Sequence, residues 1–389
     1  MKVCHVITRM IVGGAQENTF LSALGLHEAG HDVVLLTGPS PGPEGELLSM
    51  TGKPPFPVVV CPDLTREISP LRDLRAYRFL LRFFRRERFD VVHTHSSKAG
   101  VLGRIAAKAA GVPLVVHTIH GQPFHRNERP WKNALYIALE RLCAKRCDRI
   151  FAVAQAMIDQ SLERGIGRRE QFRVVYSGMD MSSFLAAKRD PEKRRALGIP
   201  ENAVVVATLA RLFPLKGYEQ LWRIAPELFR REPNLHFLIL GDGFLHGALA
   251  EQAAKAGFSE RVSFAGLVPP QEIPSCLAQA DLLVHFSLRE GLPRAAVQAL
   301  ATERPVVAYR LDGTPEVVLD GKTGRLLEPD RDDEAIAAIL DLLQKPDLRA
   351  AMGRAGRELV RERFDWRTMS ATLIGEYQTA LEEGKTDAS

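Results

Sequence analysis

Short apolar runs alternate with helical patterns along nearly the whole chain. Seven of them lie in the N-terminal half: KVCHVIT, HDVVLLT, FPVVVCP, FDVVHTH, PLVVHTI, DRIFAVA and FRVVYSG. Six more follow: AVVVATLARL, LHFLILGDG, RVSFAGLV, DLLVHFS, RPVVAYR and GRLLEP. Apolar runs of this length, separated by helices, are typical of buried strands in a parallel sheet with helices on both faces. The pattern therefore predicts an α/β protein with two doubly wound, Rossmann-like sheets.

A polar segment without an apolar run, residues 181–202, separates the two series. A chain of 389 residues is long enough for two domains. We expect an N-terminal domain over residues 1–180, a linker region over 181–202 and a C-terminal domain over 203–365. A last helix, about residues 366–383, is expected to pack back on the N-terminal domain. Because ligands of doubly wound sheets bind beyond the C-terminal strand ends, the two domains are expected to face a central cleft.

Composition narrows the class of protein. The five cysteines are odd in number and form no CxxC pair, which favours reduced thiols in the cytoplasm. No run approaches the roughly 20 apolar residues of a membrane span. The start, MKVCHVITRM, is typical of a first strand rather than a signal peptide. The net charge of +5 suits anionic partners such as nucleotide phosphates or lipid headgroups, although a basic solvated surface explains it equally well.

One candidate site follows the run DLLVHFS, where Glu290 lies at the C-terminal end of a predicted strand. Pro293 is expected at the first position of the next helix, so the amides of Gly291 and Leu292 would suit an anion. That helix, RAAVQALA, is apolar almost all round, which predicts burial. Gln298 inside it therefore needs a partner, either ligand hydroxyl groups or neighbouring backbone.

Three further strand ends carry candidate residues. Arg211 and Lys216 follow the run AVVVATL, and two cations at a strand end suit a diphosphate, although either alone is more often a surface charge. Gly13 and Gly14 lie between a strand and a helix, where backbone can approach a phosphate or sugar. Their surroundings do not match GxGxxG, so a dinucleotide is weakly supported. His120 ends the run LVVHTIH.

Two patterns suggest a metal, and neither is complete. His93 and His95 share one face of a strand, but no Asp or Glu joins them at ligand spacing, and a zinc or iron site needs about three or four convergent ligands. The acidic residues of DRD, 330–332, precede a helical pattern, and a helix N-terminus explains them better than a metal. We therefore expect neither a metal nor another cofactor.

A basic amphipathic helix and a basic aromatic loop suggest a membrane surface. The helix carries a stripe of arginines, Arg75, Arg78, Arg82 and Arg85. Its apolar residues are expected to face the core: Leu71, Leu74, Leu81 and Phe84. The loop FHRNERPWK places Phe124 and Trp131 among cations, which suits a lipid interface. A solvated outer helix and an ordinary loop explain the same residues. Nucleic acid is disfavoured, because aromatics do not interleave with the cations of the arginine stripe.

Taken together and in order, several motifs resemble those of the family 4 glycosyltransferases, which have the GT-B fold. They are GGAQ, HTIHG, YSGMD, LARLFPLKG, GDG, FAGLVPPQEIP and SLREGLPRAAVQALATERPVVAYRLDGTPEVV, and they span nearly the whole chain. The resemblance implies retaining, metal-independent transfer of a sugar from a nucleotide-sugar to an acceptor, in the synthesis of cell-surface polysaccharide or glycolipid. A UDP-sugar is the default donor. A lipid-linked acceptor would place the enzyme in the cytoplasm, peripherally on the inner face of the cytoplasmic membrane.

The resemblance also implies roles for individual residues. The implied catalytic residues are His120, Arg211, Lys216 and Glu290. The implied donor-contacting residues are Gly13, Gly14, Arg211, Lys216, Val268, Glu290, Gly291, Leu292 and Gln298. Arg211 and Lys216 would bind the diphosphate, Glu290 the sugar and the main chain near Val268 the base. Gln298 stands where the family usually has a second glutamate that binds the ribose; an amide keeps an acceptor oxygen but loses the negative charge.

Two alternatives remain open at this point. A nucleotide-sugar 2-epimerase has the same two-domain fold and needs no acceptor. A non-catalytic nucleotide-sugar-binding protein is suggested by Gln298 in place of glutamate. The identities of the sugar and of the acceptor do not follow from the sequence.

Overall fold

Two parallel sheets organise the chain in the computed structural model, which describes residues 1–40, 47–126 and 128–386. The first unit comprises Met1–Met179 with Phe364–Ser389, and the second comprises Asp180–Arg363. All thirteen apolar runs identified in the sequence contain a strand. The reason is burial on both faces, which gives parallel strands nearly continuous runs of Val, Ile and Leu.

The first unit contains a seven-stranded sheet. Its strands are β1 (Lys2–Ile7), β2 (Asp32–Thr37), β3 (Val58–Val60), β4 (Val91–His95), β5 (Leu114–Ile119), β6 (Arg149–Ala152) and β7 (Phe172–Val174). The helices between them are α1 (Gly14–Glu28), α2 (Leu47–Thr51), α3 (Pro70–Glu87), α4 (Ser97–Ala110), α5 (Pro130–Ala144) and α6 (Gln155–Glu163). The strand order is β3-β2-β1-β4-β5-β6-β7, so the order reverses between β1 and β4.

The second unit contains a six-stranded sheet. Two short helices, α7 (Ser182–Ala186) and α8 (Pro191–Ala196), precede it. The strands are β8 (Val204–Leu209), β9 (Leu235–Leu240), β10 (Val262–Gly266), β11 (Leu282–His285), β12 (Val306–Tyr309) and β13 (Gly324–Leu327). The remaining helices are α9 (Tyr218–Arg231), α10 (His246–Lys255), α11 (Ile273–Leu277), α12 (Arg294–Ala301), α13 (Thr314–Val317), α14 (Asp332–Gln344) and α15 (Pro346–Arg363). The order β10-β9-β8-β11-β12-β13 reverses between β8 and β11.

The segment expected to link two domains, residues 181–202, belongs to the second unit. Arg194 of α8 fixes it there, because its guanidinium donates hydrogen bonds to the carbonyls of Pro200 (3.0 Å), Ala203 (2.5 Å) and Gln279 (3.4 Å). The segment has no strand, as its polarity predicts, but its helices pack with the sheet that follows them.

The last helix, α16 (Trp366–Thr386), belongs to the first unit. It packs against α1, where a Cβ on Gly25 would lie 2.1 Å from the Oγ of Ser370. Glycine at this position therefore allows the two helices to approach closely. The side chains of Tyr377 and Leu373 join the core on the same face of the sheet as Val3.

Candidate functional site

The loops that follow β8 and β11 meet where the strand order of the second sheet reverses. The amide of Leu288 donates to the carbonyl of Leu215 (2.9 Å), and Nζ of Lys216 donates to Oγ of Ser287 (3.3 Å). Gly217 has a φ of 83°, and a Cβ there would lie 2.3 Å from the carbonyl oxygen of Phe286. Only glycine permits this approach. Reversal points of this kind are where doubly wound sheets bind ligands.

Glu290 lies at the centre of this site with two basic neighbours. Its Oε1 accepts a hydrogen bond from Nζ of Lys216 at 2.7 Å and lies 3.3 Å from Nε2 of His285. Burial by itself raises the pKa of Glu290, but its hydrogen bonds and charge interactions with His285 and Lys216 outweigh burial and lower the pKa to about 2. The carboxylate is therefore ionised at neutral pH, although its side chain is only 16% exposed.

Two residues of this site escaped the sequence-based prediction, His285 and Asp312. His285 is the last residue of β11. The sequence feature that could have revealed it is a histidine at the end of an apolar run, five positions before Glu290. Asp312 accepts a hydrogen bond from the backbone amide of Glu290 at 2.8 Å, and the amide of Gly313 donates to the carbonyl of Gly291 at 3.2 Å. These bonds fix the backbone that carries Glu290.

The helix after Glu290 begins one residue later than predicted. Pro293 is the N-cap and α12 starts at Arg294, so the amides of Gly291 and Leu292 precede the helix by a few residues. Gln298 is half-buried rather than buried, because it shares a helix face with Arg294 and not with the buried Ala296, Val297 and Leu300. The desolvation argument for a partner is correspondingly weaker. Within the described residues, the side-chain amide of Gln298 makes no hydrogen bond, so the neighbouring backbone is not its partner.

Arg211 presents its charge at the same edge of the sheet. The residue is exposed, and its guanidinium carbon lies 5.1 Å from the ring centroid of Phe213, a cation–π distance. No ion pair involves Arg211 in the part of the chain that the structure describes. Arg211 and Lys216, which follow the same strand, therefore give this edge a positive charge next to the Glu290 carboxylate.

Val268 is half-buried just beyond the C-terminal end of β10, the edge strand beside β9. The ends of β8, β9 and β10 are in contact, because the amide of Gly241 donates to the carbonyl of Gly266 at 2.9 Å. A Cβ on Gly241 would in turn lie 2.1 Å from the carbonyl oxygen of Ala210. Four of the predicted donor-contacting residues therefore follow strands of this sheet and lie along its C-terminal edge: Arg211, Lys216, Val268 and Glu290.

In the first unit, the predicted residues lie at the ends of β1 and β5. Gly14 is the first residue of α1, and Gly13 is its N-cap with a φ of 177°, an extended conformation that any residue adopts. The backbone conformation at position 13 therefore does not require glycine. His120 follows β5, and its Nε2 lies 2.9 Å from Nδ1 of His95. The side chains of Thr8 and Ser96 are hydrogen-bonded at 2.8 Å and connect the loops after β1 and β4.

A group of buried histidines was only partly predicted. His5, which the sequence did not single out, joins His93 and His95, and one ring nitrogen of each lies within 4.8 Å of the others. Both nitrogens of His93 are already hydrogen-bonded, Nδ1 to the hydroxyl of Tyr377 (2.6 Å) and Nε2 to that of Thr118 (2.7 Å). Among the described residues, no carboxylate joins this group to offset a buried divalent charge. These imidazoles therefore fit a hydrogen-bonded network better than a metal site, and the expected metal independence stays a prediction.

The predicted membrane surface differs from the structure in two ways. Leu71 and Leu74 are 74% and 44% exposed, because the buried stripe of α3 runs through Ala76, Leu80 and Phe84. At 3.6 residues per turn, Leu71 points about 180° away from Leu80.

In the loop 124–132, of which residue 127 lies outside the described residues, Phe124 is buried (8% exposed) and joins the core instead of the surface. Trp131 is 61% exposed, as predicted. It begins an exposed apolar row on α5 that continues through Leu135 and Leu142, here called the α5 stripe. Across the described residues, no helix is both long and apolar enough to cross a membrane.

The chain is similar both to family models and to individual proteins. A model described as a glycosyl transferase 4-like domain matches residues 13–178, and one described as glycosyl transferases group 1 matches residues 189–359. The UDP-Gal:alpha-D-GlcNAc-diphosphoundecaprenol alpha-1,3-galactosyltransferase of Escherichia coli is 29% identical over 344 residues, covering 87% of each chain. The D-inositol 3-phosphate glycosyltransferase of Saccharomonospora viridis is 31% identical over 312 residues, covering 75% of this chain and 70% of that one.

Solved structures agree in fold. Anabaena HepE in complex with UDP and glucose has a TM-score of 0.83 and 22% identity, with 97% of this chain and 100% of that chain covered. The sucrose-phosphate synthase of Thermosynechococcus elongatus has a TM-score of 0.79 and 18% identity, with 98% and 100% covered. The predicted pair of doubly wound Rossmann-like sheets is confirmed by this likeness.

Proposed function

The chain belongs to the family 4-type glycosyltransferases, which have the GT-B fold, and we propose that it transfers a sugar from a UDP-sugar to a lipid-linked acceptor with retention of configuration. The observation that carries this proposal is the group of Arg211, Lys216, His285 and Glu290 where the second sheet reverses its strand order. The group combines two cations for a diphosphate with an ionised carboxylate for a sugar.

The two cations have complementary roles in this proposal. Arg211 is exposed and offers a planar guanidinium that can donate paired hydrogen bonds to phosphate oxygens. Lys216 already donates to Glu290, so its charge is held beside the place where the sugar would bind. A fixed pair of cations stabilises the negative charge that develops on the departing diphosphate.

Glu290 binds the sugar in this proposal. An ionised carboxylate accepts several hydrogen bonds, so it can orient a pair of sugar hydroxyl groups. During transfer, the bond between the anomeric carbon and the diphosphate oxygen breaks, and the acceptor oxygen bonds to that carbon on the same face. The acceptor proton passes to the departing phosphate oxygen. His120 would donate a hydrogen bond to the sugar, and Gln298 would bind the ribose hydroxyl groups.

The donor and acceptor classes are proposed from relatives. The name of the Escherichia coli relative specifies a UDP-linked sugar and a diphosphoundecaprenol acceptor. Anabaena HepE has been solved with UDP and with UDP-glucose. Another relative is GDP-mannose-dependent according to its name, so relatives of this chain differ in the base of their donor.

Thermal denaturation with nucleotides tests the donor site. UDP and UDP-sugars are expected to raise the melting temperature more than GDP or ADP, because a ligand that binds the folded state stabilises it. Arg211→Gln should reduce the shift, whereas Arg231→Gln, an exposed arginine at the end of α9, should leave it unchanged. An equal shift for all nucleotides, or none with UDP, would count against a UDP-sugar donor.

A lipid-linked acceptor calls for contact with a membrane, and we propose the α5 stripe as the contact surface. Trp131, Leu135 and Leu142 are exposed by 61%, 46% and 43%. Four exposed cations lie nearby in the sequence: Arg126 and Arg129 before α5, Arg141 within it and Lys145 after it. Apolar side chains would enter the headgroup region while cations contact anionic lipid, each contributing about 1 kcal/mol. This surface replaces Phe124 of the sequence-based prediction, which is buried.

Sedimentation with vesicles tests the surface. The protein should sediment with anionic vesicles at low salt, less at high salt, and little with neutral vesicles. The double variant Trp131→Ser, Leu135→Ser should stay in the supernatant. Leu267→Ser, which removes a 76% exposed leucine from the second unit, should bind like the parent protein. Sedimentation that the double variant does not reduce would rule out the α5 stripe.

A further inference from the structure

Three imidazoles form a continuous hydrogen-bonded row across adjacent strands of the first sheet. His5 lies in β1, His95 ends β4 and His120 follows β5. Nδ1 of His5 lies 2.9 Å from Nε2 of His95, and Nδ1 of His95 lies 2.9 Å from Nε2 of His120. The ring planes are tilted by only 20° and 29°. The row therefore ends on the histidine that the proposed function places near the donor sugar.

Burial favours the neutral form of the inner two rings. His5 and His95 have no exposed surface, and burial lowers the pKa of both, that of His5 to about 3. The ring of His93, which is hydrogen-bonded to the hydroxyl of Tyr377, packs against both of them. In the described part of the chain, no carboxylate is among the hydrogen-bonding partners of His5 and His95. A neutral imidazole carries one N–H and one acceptor nitrogen, so each bond in the row has a donor side.

The inner end of the row determines which ring donates each hydrogen bond. Nε2 of His5 is buried and has no hydrogen-bonding partner among the described residues. Buried donors without an acceptor are rarer in proteins than under-satisfied acceptors, so this nitrogen is best left without a proton. The proton of His5 then lies on Nδ1 and is donated to His95. His95 in turn carries its proton on Nδ1 and donates it to His120.

We propose that His5 and His95 are positioning residues that keep the proton of His120 on Nδ1. Because Nε2 of His120 accepts from His95, a neutral His120 has its N–H on the other ring nitrogen. The inference rests on the proposed function in one respect, that His120 uses this N–H to donate to a sugar oxygen. The row also orients the ring of His120, because the hydrogen bond to His95 restrains its rotation.

A matched pair of substitutions at His95 separates the effect of its hydrogen bond from the effect of its side-chain shape. His95→Asn keeps an N–H near the position of Nδ1, whereas His95→Leu has nearly the same shape and no donor. Nitrogen-15 spectra of histidine-labelled protein distinguish Nδ1–H from Nε2–H tautomers. The parent protein and His95→Asn are expected to show His120 as the Nδ1–H tautomer. His95→Leu should show a shift towards Nε2–H and a fall in kcat of about fivefold to tenfold with KM for the donor little changed.

Tyr377→Phe is the control, because it removes the neighbouring bond to His93 and leaves the row intact. It should change neither the tautomer of His120 nor kcat. If His95→Leu is too unstable to measure, the pair His5→Asn and His5→Leu tests the same row one position further in. An Nε2–H tautomer of His120 in the parent protein, or an unchanged tautomer in both leucine variants, would overturn the inference. If the tautomer shifts as expected and kcat does not change, the row does set the tautomer of His120, but His120 does not contribute to the transfer.

Discussion

Replacing Glu290 with glutamine removes one negative charge and little else. The carboxylate accepts from Lys216 at 2.7 Å and lies 3.3 Å from His285, and an amide oxygen can still accept one of these bonds. Charge-assisted hydrogen bonds are worth roughly 1.5–3 kcal/mol, against about 1 kcal/mol for neutral ones. Losing this difference on two sugar hydroxyls in the transition state amounts to about 1–4 kcal/mol, which corresponds to roughly a 5- to 1,000-fold fall in kcat at saturating donor.

Glu290→Gln should not weaken the binding of UDP, although it lowers kcat. In the parent protein Lys216 is paired with Glu290, and in Glu290→Gln the full charge of Lys216 becomes available to the diphosphate. Calorimetry is therefore expected to show UDP binding that is retained or tighter, while turnover falls. A nucleotide that no longer binds would instead indicate that Glu290 holds the site together.

The assay is release of UDP in the presence of acceptor, with the donor well above its KM. The control is Glu251→Gln, the same chemical change at an exposed ion pair with Lys255 on α10. The control should have the turnover of the parent protein. Unchanged turnover in Glu290→Gln would refute the assignment of Glu290 to the sugar.

Three further predictions concern the same site. Gln298→Glu should fold normally, because the side chain is half-exposed, and should lower the donor KM, since a carboxylate accepts ribose hydroxyls more strongly; an inactive variant would show that the amide itself is required. The pKa of Glu290 is lowered from 4.5 to about 2, so its ionised form stabilises the fold above pH 4.5 and this contribution is lost as the pH falls towards 2. Urea titrations should therefore show a stability advantage over Glu290→Gln at pH 6 that shrinks at pH 3, and a constant difference would contradict this. EDTA should leave turnover unchanged, and activity that is lost and then restored by one divalent ion would identify a metal requirement.

The strands were predictable because burial on both faces leaves a strong signal in each run of Val, Ile and Leu. The placement of three charged residues at one sheet edge was predictable for a related reason. Arg211, Lys216 and Glu290 each follow such a run, and parallel strands end at the same edge. The sequence could not show that the β8 and β11 loops touch, which depends on the approach of Gly217 to Phe286.

Other features depend on contacts between distant residues. His5 lies inside an apolar strand, and only the strand order shows that it adjoins His95. His285 ends an apolar strand, and only the folded loop after it shows that its ring approaches the Glu290 carboxylate. Gln298 was expected to be buried because its helix is apolar, yet the helix turns that residue towards the half-exposed side. Leu71 of α3 was likewise expected to face the core, yet the helical rotation places it opposite the buried Leu80, where it is exposed.

The most direct test of the account is the structure of the product formed from a UDP-sugar and a diphosphate-linked polyprenol acceptor. The purified protein is incubated with both, and the anomeric configuration of the new linkage is determined by NMR. Retaining transfer predicts a glycoside with the configuration of the donor, formed only when acceptor is present. An inverted linkage would contradict retention, and an epimerised nucleotide-sugar formed without acceptor would contradict transfer itself.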